Sequence, residues 1–224
     1  MTLLAKIRRA LREVAEPARA AGMQAYMKST MPYHGVPAPA MTAACKKLFA
    51  DYPFDDAEQW RTDILDVWRG ATFREERYAA MRLSGHKRAD AFQTLDALPM
   101  YEEMITTGAW WDYVDELASN RVGPLLAKFP GPMKKTMRTW SKSDDMWKAR
   151  TSIICQLGFK ADTDLKLLYD CIEPSIASKE FFLRKAIGWA LRQHARVAPT
   201  DVKRYVLAHP ELSGLSKREA LKHL

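Results

Sequence analysis

Apolar residues recur in this chain at the spacing of an α-helix, and proline or glycine interrupts them about every 10–18 residues. Leu4, Ile7, Leu11, Val14 and Ala15 would share one helix face. Trp60, Ile64, Val67 and Trp68 repeat the pattern, and Met133, Met137 and Trp140 form a further stripe ringed by Lys134, Lys135 and Arg138. Breaks fall at Pro32 to Pro39, Pro53, Gly70, Gly85, Pro99, Gly123-Pro124, Pro130-Gly131-Pro132, Pro174 and Pro210. Sustained strand-type alternation does not occur. The pattern therefore predicts an all-α protein of many short helices, stacked as pairs in a degenerate helical repeat; a compact bundle is the alternative. Start signals are a capping box from Asp55 to Glu58, opening a helix that ends at Gly70, an N-cap at Thr200, and a second box from Ser216 to Glu219. No linker or low-complexity stretch divides the chain, so one domain over residues 1–224 is expected.

Charge narrows the class of partner. Residues 1–120 hold 15 Lys and Arg against 17 Asp and Glu, a balance of −2, whereas residues 121–224 hold 20 against 10, a balance of +10. A basic second half points to a polyanion, of which nucleic acid is the commonest; a merely soluble basic surface is the alternative. No apolar run approaches the ~20 residues of a membrane span. Met1 to Glu16 lacks the apolar core of a signal peptide, so a cytoplasmic protein is expected. Cys45, Cys155 and Cys171 are odd in number and form no Cys-x-x-Cys, which argues against a disulfide framework or zinc site and for three small buried hydrophobes. Histidines 34, 86, 194, 209 and 223 show no metal-ligand spacing, and neither a phosphate-cradling glycine loop nor a nucleophile elbow is present. No metal or organic cofactor is expected.

Three segments carry candidate chemistry. In Trp110–Leu117, Trp110, Val114 and Leu117 would face the core, with Ala118 continuing the stripe, while Trp111 and Asp115 stand four apart at its edge. An indole face beside a carboxylate can hold a cation; a structural tryptophan with a solvated aspartate is the alternative. In Trp147–Leu157, Arg150 falls inside the stripe of Trp147, Ile154 and Leu157. A guanidinium there must reach either an internal carboxylate or a ligand such as phosphate. In Phe181–Arg192, Leu183, Ala186, Ile187, Ala190 and Leu191 make a core face with Trp189 at its border. Lys185 and Arg192 flank that tryptophan, an interleaving suited to a nucleic-acid surface, although an ordinary core-edge tryptophan would look the same.

Together these segments resemble the AlkD-type DNA alkylation repair family. The likeness rests on Ala25-Tyr26-Met27-Lys28, Met31-Pro32-Tyr33-His34-Gly35-Val36, Thr107-Gly108-Ala109-Trp110-Trp111-Asp112-Tyr113-Val114-Asp115, Trp147-Lys148-Ala149-Arg150-Thr151 and Phe181-Phe182-Leu183-Arg184-Lys185-Ala186-Ile187-Gly188-Trp189. The blocks run in the family order over residues 25–192. The resemblance implies a right-handed solenoid of HEAT-like antiparallel helical pairs whose basic concave face holds double-stranded DNA. It implies a monomeric glycosylase that hydrolyses the N-glycosidic bond of N3- and N7-alkylated purines in base excision repair. Trp111, Asp115 and Trp189 would line the catalytic cleft and Arg150 would hold a backbone phosphate. Tyr26 and Lys28 would contact the DNA, with Arg184 and Lys185 adding to the basic surface. Within the family, excision is thought to proceed without flipping the base into a pocket.

The chemistry fits those residues. A purine alkylated to a formal positive charge is a good leaving group, and its loss moves that charge onto an oxocarbenium-like sugar. A carboxylate near C1′ favours the redistribution and can orient or deprotonate a water. Asp115 is the candidate, and the faces of Trp111 and Trp189 could each hold the cationic nucleotide by roughly 0.5–2 kcal/mol. A reading from another class is a non-catalytic helical scaffold for nucleic acid or protein. Such a scaffold would need the basic face but not the Trp111, Asp115 and Trp189 trio.

Overall fold

The computed structural model describes residues 1–224 and contains helices, turns and no strand. Helix boundaries follow caps and apolar faces. Helix α1 (Leu3–Glu13) buries Ile7 and Leu11 and is capped by the Thr2 hydroxyl. Helices α2 (Pro17–Met27) and α3 (Ala38–Ala50) each begin with proline in the first turn, where the missing N–H leaves nothing unsatisfied. Helix α4 (Ala57–Gly70) buries Trp60, Ile64, Val67 and Trp68, the stripe expected from the sequence. Its cap is Asp56, not Asp55: the Asp56 carboxylate accepts from the backbone of Glu58 and Gln59. The register falls one residue later because Asp56 takes the extended conformation a cap needs. Helix α5 (Arg74–Ser84) packs against α1, α3 and α4.

The chain divides into two compact units, Met1–Gln93 and Thr94–Leu224. The first is organised around two buried carboxylates at the start of α5. Glu75 accepts the consecutive backbone N–H groups of His34, Gly35 and Val36 at 3.0, 2.9 and 3.1 Å. Gly35 has φ +83°, and a Cβ there would lie 2.3 Å from the Glu16 carbonyl oxygen, so only glycine fits this turn. Burial opposes the Glu76 charge, but hydrogen bonds from His34, Arg8 and the Thr72 backbone outweigh it and hold its pKa down to about 2.

In the second unit, α6 (Leu98–Gly108) leads through a left-handed turn at Ala109 into α7 (Trp111–Leu117). Gly123-Pro124, expected as a break, is not one. The chain passes from α7 through a π-helical turn, Ala118–Val122, directly into α8 (Gly123–Lys128). Proline lacks an N–H and crowds the carbonyl four residues before it; the wider π turn takes up that mismatch without ending the helix. Gly123 also lets α10 approach, since a Cβ would meet the Cys155 carbonyl oxygen at 2.3 Å. Next come α9 (Pro130–Trp140), whose buried face is Met133, Met137 and Trp140, and α10 (Met146–Ile154). Helix α10 packs against α6, α7, α9, α11 (Leu165–Ile172) and α12 (Phe181–Ala195).

Helices α13 (Pro199–Ala208) and α14 (Gly214–Ala220) complete the unit. Thr200 lies inside α13, which starts at Pro199. Ser216 is not the cap of a box closed by Glu219: Ser213 caps α14, and the Ser216 hydroxyl is buried and donates to the Arg184 carbonyl. Consecutive helices pack as α4 on α5, α6 on α7 and α9 on α10, consistent with stacked helical pairs. All three cysteines are free and buried, and burial pushes the Cys45 thiol up to about 11. No helix is long and apolar enough to cross a membrane.

Candidate active site

Within the second unit, α7, α10, α12 and α14 together line a cavity of about 370 Å³ bounded by Trp111, Asp115, Arg150, Phe181, Phe182, Lys185, Trp189, Arg192 and Glu219. Its floor is fixed by capping and aromatic packing. The Asp145 carboxylate accepts from the Trp147 and Lys148 backbone at 2.8 and 3.0 Å, which sets the start of α10 one turn before Arg150. Phe182 packs between Trp110 and Trp147, with ring centroids 5.5 and 5.0 Å away. The Arg150 guanidinium carbon lies 5.9 Å from the Phe182 ring centre.

On that floor, Arg150 and Asp115 form a two-pronged ion pair. Arg150 Nε donates to Asp115 Oδ1 at 2.7 Å and Nη2 to Oδ2 at 2.8 Å, while Nη1 donates to the Phe182 carbonyl. The Arg150 side chain is only 5% exposed and that of Asp115 15%. Burial pushes the Asp115 carboxyl above its ordinary value, Arg150 pulls it back, and Asp112 adds a smaller upward push. The fork holds the carboxylate in one orientation while its exposed portion looks into the cavity.

The same cavity is lined by a second ionic group. From α14, Glu219 binds two cations of α12: Lys185 Nζ donates to Oε1 at 2.9 Å, and Arg192 Nη1 donates to Oε2. Hydrogen bonding from Lys185, ahead of Arg192, holds the Glu219 carboxyl below its usual range. Gly188 makes this approach possible. A Cβ at Gly188 would come 2.4 Å from Glu219 Cβ and 2.9 Å from the Ser216 carbonyl oxygen.

The structure brings Trp111, Asp115, Arg150, Lys185 and Trp189 to one cavity. Trp111 and Trp189 are partly exposed there, as their expected places at the edges of their helix faces require, and Trp110, expected to face the core, is partly exposed as well. Of the two roles open to Arg150, the internal carboxylate is the one present. Arg184 does not line the cavity; its Nε is buried without a partner. Tyr26 and Lys28 belong to the first unit, where Tyr26 is 77% exposed and Lys28 ends α2 in the left-handed conformation. Three lining residues, Phe181, Phe182 and Glu219, were given no site role from the sequence, and Arg192 only a place on the basic edge beside Trp189. Phe181, half exposed at the start of α12, and Phe182 both carried a signal in the doubled aromatic before Leu183. Arg192 was visible beside Trp189, but Glu219, 27 residues further on, carried only the capping-box spacing from Ser216, which gave no sign of the site.

The family profile described as DNA alkylation repair enzyme matches residues 7–224. Among solved structures, the chain is similar to one titled "Predicted DNA alkylation repair enzyme from Enterococcus faecalis", with 28% sequence identity and a TM-score of 0.79. The likeness covers 94% of this chain and 96% of that one. Among curated proteins nothing matches.

Proposed function

Since the chain belongs to the DNA alkylation repair enzyme family, we propose that residues 1–224 act as one glycosylase that hydrolyses the N-glycosidic bond of cationic N3- and N7-alkylated purines in double-stranded DNA. The observation that carries this reading is the cavity in which a clamped carboxylate, Asp115, shares its walls with two partly exposed indoles, Trp111 and Trp189. Indole faces attract a positively charged base by their quadrupole, and a neutral purine gains no such attraction. As the C1′–N bond breaks, its electron pair leaves with the base, which departs neutral, and the sugar takes the positive charge. A fixed carboxylate beside C1′ stabilises that cation without reorganising. Water then bonds to C1′ and gives its proton to the carboxylate or to solvent, leaving an abasic site. Arg150 acts through Asp115, holding the carboxylate ionised and aimed. Tyr26, Lys28, Arg184 and Lys185 are proposed DNA contacts.

The direct test is chromatography of bases released by the purified protein from methylated duplex DNA. Release of 7-methylguanine and 3-methyladenine supports the reading; tight DNA binding with no release would favour the non-catalytic scaffold.

Two further outcomes are expected. The +10 balance after residue 120 should make DNA affinity fall steeply with salt, with log Kd tracking log salt at about 0.9 per phosphate neutralised. A flat response between low and moderate salt, measured by fluorescence anisotropy, would remove the DNA face from the account. Excision should also continue at full rate in excess chelator, because no three His, Cys, Asp or Glu side chains converge on a point that could hold an ion. Activity lost to chelator and restored by a divalent ion would show a metal requirement.

A further inference from the structure

The α12–α14 contact places a carboxylate where a nucleic-acid cleft has no evident use for one. Glu219 lies in the cavity wall, binds Lys185 and Arg192 together, and would itself repel a phosphate. The backbone approach at Gly188 that holds it there leaves no room for even a methyl group. Such close packing fixes Glu219 in position rather than leaving it a mobile surface charge.

Electrostatics gives that position a meaning. Five ionic groups line the cavity: Asp115, Arg150, Lys185, Arg192 and Glu219. Asp115 and Arg150 are matched with each other, and Glu219 offsets one of the two remaining cations. Without Glu219, Lys185 and Arg192 would stand uncompensated beside Trp189, the indole on their own helix. A basic wall of that kind suits a phosphate but opposes a base that is itself a cation.

We propose that Glu219 is a specificity-determining residue, which offsets one of the two positive charges beside Trp189 and so weakens the wall's repulsion of a cationic base, leaving the indoles and Asp115 to favour that base over a neutral one. The inference rests on the reading of this cavity as a site for cationic alkylated purines. Glu219 acts on the base through space and on Lys185 and Arg192 by direct contact. Its loss should therefore have opposite effects on two kinds of DNA. Undamaged duplex should bind more tightly, because two cations are released to meet phosphates, and duplex with a cationic base should lose its advantage.

The test measures binding at one salt concentration to two duplexes that differ at one position. One carries 7-methylguanine stabilised against cleavage by a 2′-fluoro substituent, and the other carries guanine. Wild-type protein should prefer the cationic duplex, and Glu219→Gln should reduce that preference at least fivefold, about 1 kcal/mol, while raising affinity for the guanine duplex. Changing Lys185 and Arg192 to glutamine in the Glu219→Gln background should restore the preference, which a merely structural role for Glu219 would not allow. Glu219→Asp, which keeps the charge, should retain most of it, and melting curves accompany each variant. A folded Glu219→Gln protein with the wild-type preference would overturn the inference and leave the proposed function standing. A lost preference that the added Lys185 and Arg192 changes do not restore would also overturn it. A wild-type protein that does not distinguish the two duplexes would instead sink the reading of the cavity, and with it the role of Glu219.

Discussion

Asp115→Asn is expected to lower single-turnover base release by on the order of 10²-fold or more, the scale of loss seen when a fixed electrostatic stabiliser is removed from a reacting centre. The substitution keeps the shape of the side chain and one acceptor oxygen but removes the charge that would face the sugar cation. Because the carboxylate is matched with Arg150, the change also leaves a buried guanidinium short of its partner. A loss of about 1–3 kcal/mol of stability follows. DNA affinity should change little, since a carboxylate contributes no attraction to phosphate. The rate deficit should be smaller for lesions that depurinate readily unaided, whose leaving groups need less help. The same residue sets a pH signature. Burial raises its carboxyl above the ordinary range, so on acidification excision should fall earlier than an exposed aspartate would dictate, and Asp115→Asn should abolish that limb. Wild-type rates in a folded variant would take Asp115 out of the mechanism.

Arg150→Ala has the second large expected effect, and its direction separates the two roles open to this arginine. A residue that bound backbone phosphate would, when removed, weaken DNA binding and reduce the salt slope by about one. The structure instead shows three of its donors spent inside the protein, two on Asp115 and one on the Phe182 carbonyl. Removing it strands a mostly buried carboxylate, which costs about 3 kcal/mol, or roughly 6–12 °C in Tm. Stranded, Asp115 would take up a proton more readily and lose its aim, so excision should fall with it. The salt slope should stay as in wild type. A variant with wild-type Tm and a shallower slope would return Arg150 to the phosphate-binding role.

Much of this was legible along the chain wherever the signal was local. The apolar stripes of α4, α9 and α12 could be read because helix faces repeat within one element, whereas the first stripe held only at Ile7 and Leu11, since α1 ends at Glu13, before Val14 and Ala15. The edge positions of Trp111 and Trp189 followed from those faces. Arg150 had to find a partner because it fell inside a stripe, and the partner proved to be Asp115, 35 residues earlier. Spacing on one helix cannot reveal that pairing; it depends on α7 and α10 packing together. Glu219 was harder still. Ser216 and Glu219 have capping-box spacing, and a box satisfies the local chain equally well on paper. The register went instead to Ser213, because Gly188 lets α14 press its backbone onto α12 and bury Ser216. The block Tyr33-His34-Gly35-Val36, part of the family likeness, turned out to be buried and tied to Glu75, so its residues hold a turn. In each case the missing information was a contact between distant segments.

On the proposed mechanism, positive charge on the base, met by the indoles and the clamped carboxylate, makes this chain a glycosylase. Single-turnover release from two duplexes of the same sequence decides the matter. One contains 7-methylguanine and the other 7-methyl-7-deazaguanine, which has the same shape but is neutral. The first base should be freed, leaving an abasic site, and the second should stay attached even though its duplex is bound. Release of both at similar rates, or of neither from duplexes that the protein binds, would contradict that mechanism.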